Sequence, residues 1–423
     1  MGSTITEKII AAHCGGDEVK PGQLVNAAVD LVMINDLMGA MTFRIMERMG
    51  AQRVFDPARV AAVHSHIAPN ADIRSAEQSY VLRQWAKEQN IVHYFPEGTG
   101  GIEHVLLPEQ GLVAPGELIV GADSHSCTYG AFGTFASGMG TTDIAAALAL
   151  GETWLRVPET IKFELTGTLQ PMVTGKDLIL FIIGHIGLDG ARYKAMEFTG
   201  EAMRSLSMED RMTVTNMVVE AGGKNGVFAV DATTEAYLGN HGVTRSWTAY
   251  SSDPDAHYDR VYNWDASALE PLVAKPFLPS NVFPVTEIQG VKVDQVFIGS
   301  CTNGKIEDLR QAATILAGKR VAKHTRVIIT PATHQVYLDA VREGLVETFL
   351  TAGATVTPPT CGACAGLHLG VLGSKEVCIS TTNRNFRGRM GHVDSQVYLA
   401  NPYVAAASAI SGEITDPRAL VRS

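Results

Sequence analysis

The sequence predicts an α/β protein of mainly parallel sheets, and three observations carry that prediction. Short apolar and β-branched runs alternate along the chain with stretches of helical spacing. Polar turns bearing histidine, aspartate or cysteine follow several of those runs, which is where ligands gather in parallel sheets. The chain has 423 residues, 46% hydrophobic and 18% charged, enough for two or three domains with large cores.

Taken in order, AAVDLVMIND (27–36) reads as a buried strand and AMTFRIMERMG as the helix after it. RVAAVHSH (59–66) is a second strand ending in histidines. By period-two spacing, His64 and His66 are expected on one face of it. AEQSYVLRQWAKEQN has helical spacing, and IVHYF is the strand that follows. ELIVGADSH (117–125) runs from a strand into a turn. TTDIAAALALGETWL (141–155) opens on a threonine N-cap and carries an apolar helical face. VFIGSC closes a strand at Cys301, and VCIST is the strand before the arginine-rich NRNFRGR. Boundaries are expected near Val157–Pro158 and in the proline-bearing LVAKPFLPSNVFPV (272–285). They divide the chain into units 1–158, 159–285 and 286–423. No repeat of 20–50 residues and no low-complexity tract is present.

The formal net charge of −10 argues against a nucleic-acid or anionic-membrane surface. DLILFIIGHIGL is too short to cross a bilayer and no secretory signal is visible, so a cytoplasmic protein without a membrane partner is expected. Six cysteines in a chain of this length are no disulfide framework. Cys14, Cys127 and Cys378 stand alone and read as buried thiols.

The other three form a constellation. Cys301 lies in a polar, glycine-bearing turn at a strand end, and Cys361 and Cys364 form a CxxC sixty residues on. The pair alone fits a redox dithiol, half of a zinc site completed by His368, or iron–sulfur ligation. An iron–sulfur cube held by three thiolates leaves one iron open as a Lewis acid. Arg384, Arg387 and Arg389 crowd one short segment, and guanidinium forks suit carboxylates.

Together IGSCTNGKIEDL, TCGACAG and STTNRNFRGRMG resemble the aconitase superfamily. GELIVGADSHSCTYGAFGTFASGMGTTDIA and MTVTNMVVEAGG fit the same pattern in the same order. Within the superfamily the resemblance is to the large subunits of 3-isopropylmalate dehydratase and homoaconitase-type hydro-lyases. It implies three α/β/α domains around a central cleft, without the swivel domain of single-chain members. It implies a 4Fe-4S cluster on Cys301, Cys361 and Cys364, with Arg384, Arg389, Asn35 and Asn303 on the substrate side. His66, His104 and His125, with the acids Asp123 and Glu220, are the matching proton-handling residues. The chain has no room after the arginine cluster for another domain, so the carbon base is expected from a small swivel-domain subunit.

The implied reaction is reversible dehydration and isomerisation of a hydroxy di- or tricarboxylate, most closely 3-isopropylmalate to 2-isopropylmalate in leucine biosynthesis. Homocitrate, dimethylmalate and methylcitrate-type substrates are the alternatives, and an iron- or redox-sensing binding protein on the same fold is the alternative of another class. The family usually has aspartate directly before the histidine matched to His66, and this chain has Ser65. His64, Glu103 or a water are the candidates to take over the aspartate's role. Asn35 stands where the single-chain pattern has glutamine.

Overall fold

The computed structural model describes residues 2–16 and 18–421. Three principal sheets organise these residues. The first is five-stranded and wholly parallel, in the order His93–Phe95, Val60–Val63, Leu31–Asn35, Leu118–Gly121, Phe135–Gly138. Its inner strands are apolar without alternation because both faces are covered: Leu31–Asn35, Val60–Val63 and Leu118–Gly121 are buried throughout. The second is four-stranded and parallel, in the order Asn225–Phe228, Ala195–Thr199, Thr160–Thr166, Arg260–Asp265. Phe163, Phe198 and Tyr262 stack across it.

The third sheet has seven strands. Gln396–Ala400, Val377–Ser380, Gln295–Ile298, Arg326–Ile329 and Thr355–Val356 run parallel. Leu272–Ala274 and Val282–Pro284, which precede residue 285 in the chain, join its edge antiparallel. Leu272–Ala274 pairs with Gln396–Ala400 and Val282–Pro284 with Leu272–Ala274, so neither joins the four-stranded sheet.

Three local expectations are refined. The stretch 27–36 is two strands, not one: Leu24–Ala28 pairs antiparallel with Glu152–Arg156, and Leu31–Asn35 enters the first sheet. Asp30 makes the break, its carboxylate accepting from Leu118 N at 2.8 Å and lying 2.6 Å from His13 Nε2. The helix from Thr141 ends at Leu150, where Gly151 takes a left-handed φ of 73°, and the next five residues alternate exposed and buried as a strand. Its N-cap is Gly140. The apolar DLILFIIGHI lies in the buried helix Gly175–Ile186, capped by a Thr174–Asp177 box. No helix among the described residues is long and apolar enough to cross a membrane.

The first and third sheets face each other across a shared seam. Ile102 N donates to Ala332 O at 2.7 Å, and Cys361 N donates to Ser65 O at 2.8 Å. Tyr129, Met33, Ala332, Cys301 and Cys361 pack in one apolar cluster there. Carboxyl ends of strands from both sheets meet at this seam.

Candidate active site

A small cavity of about 90 Å³ opens at the seam, lined by His66, His104, Asp123, His125, the three cysteines Cys301, Cys361 and Cys364, Asn383, Arg384 and Arg389. Several of these residues reach it from strand ends, and His104 from the helix Glu103–Glu109. His66 follows Val60–Val63, Asp123 and His125 follow Leu118–Gly121, Cys301 follows Gln295–Ile298, and Asn383 and Arg384 follow Val377–Ser380.

Cys301 is presented by a tight turn in which Ser300 adopts a left-handed φ of 75°. The Ser300 hydroxyl caps that turn, accepting from Thr302 N at 3.1 Å. Cys361 is the N-cap of a single 3₁₀ turn, Gly362–Ala365, that contains Cys364, and Cys364 N donates to Cys361 O at 2.9 Å. All three thiols are buried and free of disulfides. Asn383 connects them: its amide donates to Cys301 Sγ at 3.3 Å, and its carbonyl oxygen is 3.8 Å from Cys364 Sγ. Asn216 in turn accepts from Asn383 at 3.2 Å. Burial pushes the Cys361 thiol up to about 12 and the Cys301 thiol well above its ordinary value, the latter helped by the other two sulfurs. The three buried, soft sulfurs thus line one cavity. His368 is not a fourth member. Its Nε2 is 3.1 Å from the His66 backbone carbonyl, so it braces the His66 turn.

The histidines are wired to carboxylates in two chains. His104 Nε2 lies 2.7 Å from Asp123 Oδ1, and the other Asp123 oxygen is 3.6 Å from His66 Nε2. Burial would raise the Asp123 carboxyl, but hydrogen bonds from His104, His125 and His66 outweigh it and hold it well below its usual range. In the second chain, His125 Nε2 is 2.9 Å from Glu220 Oε1, and Arg384 Nε donates to both Glu220 oxygens at 2.9 and 3.1 Å. Arg389 Nε is buried without a hydrogen-bond partner among the described residues, a donor left free at the cavity.

His66 carries the departure in sequence. Ser65 Oγ is 2.8 Å from its Nδ1, and Glu103 Oε1 is 3.7 Å from the same nitrogen. Glu103 is fully buried and is aimed by Asn35, whose amide donates to Oε1 at 2.9 Å. Burial alone would depress the His66 imidazole, but the Cys361 sulfur and the Glu103 carboxylate favour its charged form. The balance lies well above the ordinary imidazole value.

The structure does not bring every sequence candidate to the cavity. Asn35 orients Glu103 from behind, and Asn303 donates to Asp308 Oδ1 at 2.8 Å; neither lines it. His64 contacts Tyr94, 3.1 Å from its hydroxyl, in a separate pocket with Pro69 and Pro358. The strand ends at Val63, so period-two alternation does not extend through Ser65 to His66. Arg387 stacks over Phe277 at 4.2 Å, outside the cavity. Cys127 and Cys378 are buried as expected, and Cys14 is half-buried. Asn216 is a site residue that sequence reasoning did not single out, although it lies in the MTVTNMVVEAGG stretch.

The family model described as aconitase family (aconitate hydratase) matches residues 7–412. The 3-isopropylmalate dehydratase large subunit of Moorella thermoacetica is 56% identical over 422 residues, covering 100% of both chains. That of Aquifex aeolicus is 55% identical and covers 100% of this chain and 99% of its own. The solved structure of Thermococcus kodakaraensis aconitase X in its holo-form is similar at a TM-score of 0.49 and 13% identity, over 88% of this chain and 89% of that one.

Proposed function

The chain belongs to the aconitase family, and on that premise we propose that it is the large subunit of a two-chain 3-isopropylmalate dehydratase. One observation carries the reading most: three buried cysteines share one cavity with two arginines and three carboxylate-wired histidines.

We assign Cys301, Cys361 and Cys364 as the residues that would hold a 4Fe-4S cluster. When bound, it supplies an open iron, a Lewis acid for a hydroxyl and a carboxylate oxygen. Arg389, with its unpaired Nε, and Arg384, set at its angle by Glu220, would clamp substrate carboxylates. His66 would give its proton to the departing hydroxyl, with Glu103 and Asp123 stabilising the imidazolium. His104 would hold Asp123 in place, and His125 would keep Glu220 ionised. The relatives' names speak of a large subunit, so the carbon base is assigned to a separate small subunit.

The test is reconstitution. The purified chain, loaded anaerobically with iron and sulfide, is mixed with a separately purified small subunit of a 3-isopropylmalate dehydratase, and hydration of the unsaturated intermediate is followed in the ultraviolet. Turnover of isopropylmalate by the pair, and none by the chain alone, is expected. Preference for homocitrate or dimethylmalate would move the substrate assignment; no turnover of any hydroxy acid by the loaded pair would end the enzymatic reading.

A further inference from the structure

Behind the cysteine turns lies a buried lysine without a counter-ion. Lys176 sits in the first turn of the helix Gly175–Ile186 and is fully buried. Its ammonium donates to Thr381 O at 2.9 Å and Thr382 O at 2.5 Å, and it forms no ion pair among the described residues. The nearby Lys305 is also buried, but Asp308 Oδ2 lies 3.2 Å from its ammonium and offsets its charge.

The two carbonyls that hold Lys176 belong to the layer that carries the sulfurs. Thr381 O also accepts the Thr302 hydroxyl at 2.6 Å, and Thr302 follows Cys301. Thr382 precedes Asn383, which touches Cys301 and Cys364. Burial pulls Lys176 down to about 7, while Cys364, Cys301 and, less strongly, Asp308 act to keep it charged and Lys305 opposes them. An unpaired ammonium in such a place is costly unless an anion sits close by. Three thiolates around a 4Fe-4S core carry net negative charge, and one-electron reduction adds to it.

We propose that Lys176 is the fixed counter-charge of the metal centre: a positioning residue that stabilises the loaded thiolates through the Thr381–Thr382 carbonyl layer and raises the reduction potential of the centre. This inference rests on the reading that Cys301, Cys361 and Cys364 hold a 4Fe-4S cluster. Lys176 does not line the cavity.

The test uses the full chain and two variants, Lys176→Gln and Lys176→Met, loaded anaerobically with iron and sulfide. Glutamine keeps an N–H for the carbonyls and drops the charge; methionine drops both. Each sample is titrated with dithionite as the one-electron donor, and the reduced centre is read by electron paramagnetic resonance. The equilibrium constant for reduction should fall at least tenfold in both variants, about 59 mV more negative for one electron. A Lys176→Gln potential that matches wild type would overturn the proposal and leave Lys176 as hydrogen-bond support. So would a Lys176→Gln chain that fails to fold without metal, because the role is tied to the loaded centre. Failure of the wild-type chain to take up iron is distinguishable, since it appears before any titration and defeats the cluster reading itself.

Discussion

Ser65 Oγ lies 2.8 Å from His66 Nδ1, and the carboxylate that can stabilise the charged ring, Glu103, stands 3.7 Å from that same nitrogen. The hydroxyl fixes the ring's orientation; at this nitrogen it is the carboxylate that offsets the charge, as Asp123 does at Nε2. Glu103→Gln keeps the shape and loses the charge, so kcat of the reconstituted enzyme should fall about 10–100-fold with KM little changed. Ser65→Ala should cost less than about tenfold. Steady-state rates of the two variants check this, and a harmless Glu103→Gln beside a crippled Ser65→Ala would reverse the assignment.

Glu220 links a histidine and an arginine from different sheets, and its acid behaviour follows. Burial acts to raise its carboxyl, yet the His125 hydrogen bond and the Arg384 charge hold it below its ordinary 4.5. A depressed carboxyl contributes stability that is present above the unfolded value and lost as pH falls through the folded one. Glu220→Ala should therefore cost about 3–5 kcal/mol at neutral pH by leaving Arg384 unpaired, and less in acid. Urea unfolding at pH 7 and near pH 3.5 measures both, and an equal loss at the two values would count against the ion pair as the cause.

Cys301→Ser, Cys361→Ser and Cys364→Ser should each abolish bound iron and visible absorption after anaerobic loading. Cys127→Ser and Cys378→Ser, at isolated buried thiols, should leave both unchanged. Iron and sulfide assays on the five proteins give the answer. A colourless wild type binding zinc instead would overturn the donor-set reading.

Two glycines that look alike in sequence should behave in opposite ways. A Cβ at Gly130 would meet Gly226 O at 1.6 Å, where the 124–132 turn presses on the strand Asn225–Phe228. Gly130→Ala should destabilise by about 3 kcal/mol or more. A Cβ at Gly239, in the helix Ala232–Asn240, meets nothing within 4 Å. Gly239→Ala should stabilise by up to about 1 kcal/mol. Denaturant midpoints of the two variants decide it.

Much of the scaffold was legible because strand-then-turn grammar is local. Buried runs such as LVMIN and LIVG announce themselves, and the residues after them occupy strand ends wherever the sheets finally lie. Local reading failed where one residue changed the chain's course. Asp30 split an apparent single strand by bonding to Leu118 and His13, and Gly151 ended a helix whose apolar pattern ran on. His64 was read by alternation past the end of the strand that enforces alternation.

The sequence by itself determined the fold class, the family, and which side chains carry thiol, guanidinium and imidazole groups near the strand ends. Those are properties of residue type and of position beside a strand end. Only the tertiary structure decided which partner each one has: Glu103 beside His66, Asn383 between two sulfurs, Glu220 shared by His125 and Arg384, Lys176 beneath the cysteine turns. The physical reason is that hydrogen bonds and buried charges act over a few ångströms, while these partners lie tens to hundreds of residues apart. Their pairing comes into being only when sheets of different segments close on one another.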